Sequence, residues 1–228
     1  MTEYPKLNLL VAAVKDKGYK IFTRPYELNI VGIRSENARQ NEFDDLICLF
    51  FKNDKNEWQY YQFPATTDPG TVFLTNPINK LGTAAIVPGQ YIDAYEKNYH
   101  KINNPSKRYM ALKQAGTIKV YRDLDRNQTF DFGTAKIYDS KPEDGINIHR
   151  ATKDPKSTPQ AVNDYSAGCQ VIQNAANFEI LMTAVDKHKD LYGNKFTYTL
   201  LDERQDIQQK RSYLVSLIAL GLLLYLLL

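Results

Sequence analysis

The sharpest chemical feature of this chain is Ser166-Ala167-Gly168-Cys169, with His149 twenty positions upstream. Cysteine catalysis needs a thiolate, a base that makes it, and backbone donors for the oxyanion formed on attack. A small residue and a glycine just before Cys169 let a substrate carbonyl approach the backbone closely. His149 follows Ile146-Asn147-Ile148, and a strand end is a rigid place to present a base. Each feature has a bland counterpart. A cysteine beside a glycine is more often a buried structural residue, and a single histidine more often a hydrogen-bonded one at the surface. Cys48 lies inside the apolar run DLICLFFK and is expected to pack in the core. His188 follows Cys169 but sits in Lys187-His188-Lys189, on an expected helix, where solvation is the simpler expectation.

Two other constellations carry chemistry at the level of residue type. Asp123, Asp125, Asn127 and Asp131 place oxygens at alternate positions, as a calcium loop does. Gln128 stands where the sharp-turn glycine belongs, and Thr134 replaces the bidentate glutamate, so a polar hairpin turn is the preferred reading and no metal is assigned. Tyr91, Tyr95 and Tyr99, with His100, recur at a spacing of four. That spacing predicts one helical face, which either packs in a core or lines a groove for a glycan or peptide.

The elements that must position these residues follow from periodicity. Leu7, Leu10, Val11 and Val14 form one helical stripe that Gly18 ends. Period two takes over at Tyr26–Arg34, Asp45–Lys52 and Trp58–Phe63, the last two joined by the turn cluster Asn53–Asn56. Residues 64–89, rich in Thr, Pro, Asn and Gly, read as loops with short strands. Ala111–Tyr121 holds two strands split by Gly116. Asn174 caps an expected helix with the stripe Phe178, Leu181, Met182, Val185, and Lys195–Leu201 alternates as a closing strand. The fold class is mainly β (α+β): residues 1–25 carry the N-terminal helix and lead-in, 26–202 a β-rich domain with peripheral helices, and 203–228 a polar helix running into an apolar one.

Composition excludes several classes. The chain has 228 residues, 43% hydrophobic and 12% aromatic, enough to bury a core. Its 29 basic and 26 acidic residues leave a net charge of only +3 with the signs interspersed, which argues against nucleic acid as a partner. Two cysteines exclude a disulfide framework and a four-cysteine zinc site, and no motif asks for a cofactor. The start lacks the basic leader and apolar run of a secretory signal. Tyr213–Leu228 (YLVSLIALGLLLYLLL) carries no charge and follows Lys210-Arg211. As a helix it spans roughly 24 Å against a hydrocarbon core of about 30 Å. A C-terminal membrane anchor is expected there, with a helix seated in a partner's groove as the alternative.

Asn147-Ile148-His149 followed by Ser166-Ala167-Gly168-Cys169-Gln170-Val171-Ile172 resembles the active-site signature of the L,D-transpeptidase (YkuD-like) family. The likeness is tightest over 145–172, and Val87-Pro88-Gly89-Gln90-Tyr91 resembles a family segment that precedes a core strand. The resemblance implies a β-rich cysteine acyl-transferase acting on peptidoglycan stem peptides. Cys169 would be the nucleophile, His149 its base, Ser166 a residue orienting the imidazole, and the backbone at Gly168 and Cys169 an oxyanion hole. Asn147, Arg150, Ala167, Gln170 and Tyr91 are then the expected substrate contacts. The thiolate would attack the third stem-peptide carbonyl and expel the terminal D-residue. An amine acceptor gives a crosslink and water gives hydrolysis. The chain departs from the family at Ala167, where histidine is common, at Val171, where arginine is usual, and at Arg150, in place of glycine or serine. Substrate choice is expected to reside at those positions.

Lys210-Arg211 favour a cytoplasmic side for the domain, whereas a wall enzyme works outside the membrane. A phage-encoded protein, held until lysis or delivered from a virion, is one way to reconcile the two, and an export route without a readable signal is another. Three functions remain open: a membrane-tethered wall acyl-transferase or peptidase, a wall-binding or virion structural module without catalysis, and a cysteine hydrolase acting on another amide.

Overall fold

The apolar run Asp45–Lys52 forms strand β2, and its alternation feeds two different cores. Ile47, Leu49 and Phe51 join the main core, while Leu46, Cys48 and Phe50 join a second one. The second core is closed by helix α1 (Leu7–Asp16), whose Leu10 and Val14 are buried there. A strand covered on both faces has no solvated side, so its sequence needs no polar alternate. Strand β1 (Asn29–Arg34) is buried at every position for the same reason.

This computed structural model describes residues 5–36, 39–101 and 104–204. Most of the polar helix and all of the apolar tail expected over 203–228 lie outside them. Among the described residues, no helix is long and apolar enough to cross a membrane.

The remaining strands are β3 (Trp58–Thr66), β4 (Thr83–Ile86), β5 (Gly89–His100), β6 (Tyr109–Gln114), β7 (Ile118–Asp123), β8 (Lys136–Ser140), β9 (Ile148–Arg150), β10 (Gln170–Ile172) and β11 (Phe196–Asp202). Eight of the strands close into a barrel in the order β1-β11-β5-β6-β9-β10-β3-β2, and β4-β7-β8 form a separate sheet. The architecture is mainly β with few helices. The β2–β3 hairpin turns where expected, with Asn53 Oδ1 accepting from the N–H groups of Lys55 and Glu57. Helix α2 (Thr71–Thr75) lies in the stretch read as loops with short strands.

Helix α3 (Ala175–Tyr192) starts where Asn174 Oδ1 accepts from the N–H groups of Ala176 and Asn177. Its stripe Phe178, Leu181, Met182 and Val185 enters the main core. His188, expected in solvent, is instead buried, and its Nδ1 accepts from Leu28 N–H at 3.1 Å. The helix packs that face onto the barrel, so flanking lysines do not expose the ring.

The tyrosine run is a strand and not a helical face. Tyr91 and Tyr95, four apart on β5, pair with Tyr198 and Phe196, two apart on β11. The excess residues bulge at Asp93, with φ +53°. Tyr95 is fully buried against Tyr198, whereas Tyr99 is exposed. The Asp123–Asp131 segment is the turn-rich link from β7 to β8. Asp123 accepts from the N–H groups of Asp125 and Asp131, and Asp131 from Gly133 N–H and the Thr134 hydroxyl. These carboxylates close turns.

Candidate active site

Strands β9 and β10 are short and parallel, and His149 lies opposite Val171. Val171 shares the face of His149, and Cys169 lies two residues before it, just ahead of β10. Both residues line a cleft of about 950 Å³. One wall is the β5–β6 turn, with His100, Lys101, Arg108 and Tyr109. Another is the long β9–β10 connection, with Tyr165 and Ala167. Phe73 and Ile78, on and just after α2, form a third.

That connection is fastened by Asn41, whose Oδ1 accepts from Asn163 N–H and Thr71 N–H and whose carbonyl accepts from Val162 N–H. The nucleophile turn is then built from its own residues. Ser166 Oγ donates to the Cys169 carbonyl at 2.8 Å and accepts from Gly168 N–H at 3.2 Å. Gly168 has φ +124°, and a Cβ there would lie 2.7 Å from the Ala84 carbonyl oxygen on β4. Only glycine meets both conditions.

Cys169 Sγ accepts from Asn147 N–H at 3.4 Å, and its S–H is directed to the Gly145 carbonyl at 3.5 Å. Burial pushes the thiol up to about 11, opposed by the Asn147 N–H and by the charge of Lys101. His149 is 4% exposed. Its Nδ1 lies 2.9 Å from the Arg150 carbonyl, which can only accept, so Nδ1 carries the proton and Nε2 is the basic atom. Burial, followed by the neighbouring His100, lowers this imidazole to about 3. Among the described residues no hydrogen bond joins His149 to Cys169. At neutral pH the pair rests as thiol and neutral imidazole, and not as an ion pair. General-base transfer of the thiol proton from this resting state requires bound substrate to bring the imidazole up and the thiol down toward the working pH.

The expected site residues divide into three groups. Cys169, His149, Arg150 and Ala167 line the cleft together. Arg150 holds its guanidinium over the Tyr109 ring at 4.4 Å and donates to the Thr152 carbonyl.

Ser166, Gly168, Gln170 and Asn147 support the cleft and do not line it. Ser166 is fully buried and holds the turn, so it does not orient the imidazole as expected. Gln170 Nε2 donates to the Gly168 carbonyl at 3.3 Å, and its Oε1 accepts from the Tyr198 hydroxyl at 2.7 Å, all beneath the cleft. That fully buried side chain braces the turn and is no substrate contact. Gly32 makes room for the brace, since a Cβ there would lie 1.9 Å from Tyr198 Oη. Asn147 is 6% exposed with its side chain fully engaged, and it too is a brace.

Tyr91 stands apart. Its hydroxyl donates to the Val87 carbonyl, and it is not among the residues lining the cleft.

Two further residues neighbour the base: His100, expected only with the tyrosine run, in a core or a ligand groove, and Tyr109, not expected at the site. His100 stacks on His149 with ring centroids 4.2 Å apart at 24°. Tyr109 Oη lies 3.3 Å from His149 Nδ1 and donates to the Arg150 carbonyl. His100 was visible at the end of the tyrosine run, but a helical reading of that run hides which strand it closes. Nothing local in the sequence marks Tyr109. Compared with protein-family models, with curated proteins and with solved structures, the chain matches none of them.

Proposed function

We propose that this cleft is the active site of a cysteine acyl-transferase of the L,D-transpeptidase kind, with peptidoglycan stem peptides as acyl donors. The observation that carries the reading is the placement of His149, on β9, and Cys169, just ahead of the adjacent parallel strand β10, in one cleft. Cys169 Sγ attacks the amide carbonyl while its proton passes to His149 Nε2. The tetrahedral intermediate collapses to a thioester and the leaving amine takes the proton from His149. An amine acceptor then gives a new amide, or water gives the acid. Because Gly168 N–H is held by Ser166 Oγ, the oxyanion falls to the N–H of Cys169 itself.

Charge supports an anionic donor. Lys101, Lys107, Arg108, Arg122, Arg150 and Lys153 line the cleft against Glu143, Asp144 and Asp164. The excess of basic residues over acidic ones matches the net +3 of the whole chain, so the imbalance is concentrated at the cleft. A peptide with free carboxylates fits that field. Tyr213–Leu228 would hold the enzyme at the membrane.

A second reading, a wall-binding module without turnover, is favoured by one observation: the thiol points to the Gly145 carbonyl and not to His149. Incubation of the full chain with muropeptides, followed by mass spectrometry, separates the two. The acyl-transfer reading expects loss of a terminal D-residue or crosslinked dimers, both absent in Cys169→Ala. Unchanged muropeptides that still bind the protein would establish the second reading instead.

A further inference from the structure

We propose that His100 is a positioning residue for the His149 base, fixed in one tautomer by Asn147 and holding the two imidazoles as a complementary stacked pair. The proposal rests on the acyl-transfer reading for its catalytic meaning, but its geometry stands by itself. Asn147 is the joint. Its Oδ1 accepts from Gln114 N–H at 2.9 Å, and a backbone N–H can only donate, so the amide orientation is settled. Nδ2 therefore faces His100 Nδ1 at 3.1 Å as the donor. His100 Nδ1 must accept, and a neutral His100 carries its proton on Nε2.

His149 is the reverse, with the proton on Nδ1, toward the Arg150 carbonyl, and Nε2 bare. The same Asn147 gives its backbone N–H to Cys169 Sγ and its carbonyl to Gln170 N–H. One residue thus ties the thiol, the nucleophile strand and the second imidazole together. The stack restricts rotation of the His149 ring about χ1 and χ2, holding Nδ1 at the Arg150 carbonyl and leaving Nε2 as the bare nitrogen.

The arrangement also keeps the base neutral. Two imidazolium rings in a stack at 4.2 Å repel, so a proton on one resists a proton on the other. The other groups acting on His149 are Tyr109 from β6, Arg150 beside it on β9 and Lys101 just beyond β5, while Cys169, ahead of β10, lines the same cleft. From α3 the apolar Phe178 meets this cluster, edge-on to Tyr109. No carboxylate among these groups offsets a positive charge on His149.

The test is a ¹⁵N-histidine NMR titration of the full chain, beside His100→Phe and Asn147→Ala. The wild type is expected to show opposite tautomers at pH 7, His149 bare at Nε2 and His100 bare at Nδ1. In His100→Phe the His149 midpoint moves upward and kcat on muropeptides falls roughly tenfold, within the range of one misplaced acid–base group, at unchanged KM. In Asn147→Ala, His100 loses its single tautomer while the stack remains. If His100→Phe fails to fold, His100→Gln replaces it with the same expectations. Identical tautomers in the wild type, or a His149 midpoint and kcat indifferent to His100, would overturn the proposal. A wild type with the complementary pair but without any Cys169-dependent product counts against acyl transfer and leaves the coupling of the two rings standing.

Discussion

The two cysteines occupy one barrel and teach opposite lessons about burial. Cys48 sits in the middle of β2, paired opposite Val31 and Gln62, with α1 sealing its face. Its thiol accepts from the Tyr60 hydroxyl at 3.7 Å, and burial pushes it up to about 12. Cys169 sits just ahead of the three-residue strand β10, in a seam where β6 and β9 share a single register pair. There the neighbours are polar: Asn147, Ser166, Gln170, His149, His100 and Tyr109. Both thiols are held protonated, so acidity does not separate them. What separates them is an open cleft and a base on the adjoining strand. A long, doubly covered strand makes a cysteine inert, while a short polar seam leaves it addressable.

The largest test of that contrast is substitution of each cysteine. Cys169→Ala is expected to lower acyl transfer by at least roughly 10³-fold, about 4 kcal/mol in the barrier. Cys48→Ala should retain the activity and lose roughly 1–2 kcal/mol of stability to a small cavity. Turnover assays with urea unfolding of both variants check the pair. Full activity in Cys169→Ala would erase the distinction.

Next in size is Gly168→Ala. Its φ of +124° and the approach of Ala84 predict on the order of 2–4 kcal/mol of destabilisation, measurable in urea.

Protons sharpen the comparison further, because the seam holds neutral histidines and the β2 region holds none. His149 is depressed to about 3 and His100 to about 4, against an ordinary 6.5. The unfolded chain therefore binds more protons between those values. The contribution of these histidines is full above about pH 6.5 and is lost as pH drops toward 3, by up to about 1.4 kcal/mol per unit per histidine. Asp45, pushed up to about 7 by burial, acts in the opposite direction over the same window, so the histidine share is read as a difference: from pH 7 to 4 the urea midpoint should fall further in the wild type than in His100→Phe. Alkylation by iodoacetamide is expected to rise with pH toward about 11 at Cys169, with Cys48 silent until the barrel opens. Peptide mapping assigns the two.

The smallest effect lies outside both regions. Asn174→Ala removes the cap of α3 and is expected to cost about 1 kcal/mol, read by thermal unfolding.

Much of the fold was legible because local patterns and tertiary burial agree. DLICLFFK is β2 to the residue, and the stripes of α1 and α3 are the faces that pack. Legibility failed where one spacing serves two geometries. A period of four fits a helix face, and it also fits a strand face, where residues four apart point the same way. Tyr91, Tyr95 and Tyr99 were therefore misplaced, and His100 with them. His188 failed differently, since lysines on either side say nothing about the side of the helix that meets the barrel.

The sequence alone determined the mainly β character, the two amphipathic helices, and the pairing of Cys169 with His149 as the chemistry to look for. Those follow from periods of two and 3.6 and from residue type, which are local. The tertiary structure decided which residues touch the cleft and which only brace it. Ser166 and Gln170 turned inward beneath the nucleophile, Asn147 became the joint between thiol and second imidazole, and Tyr91 was left outside. Closing a barrel brings strands β5, β6, β9 and β10 side by side from distant stretches of chain. Neighbours made by such long-range register leave no trace in the spacing of a single segment.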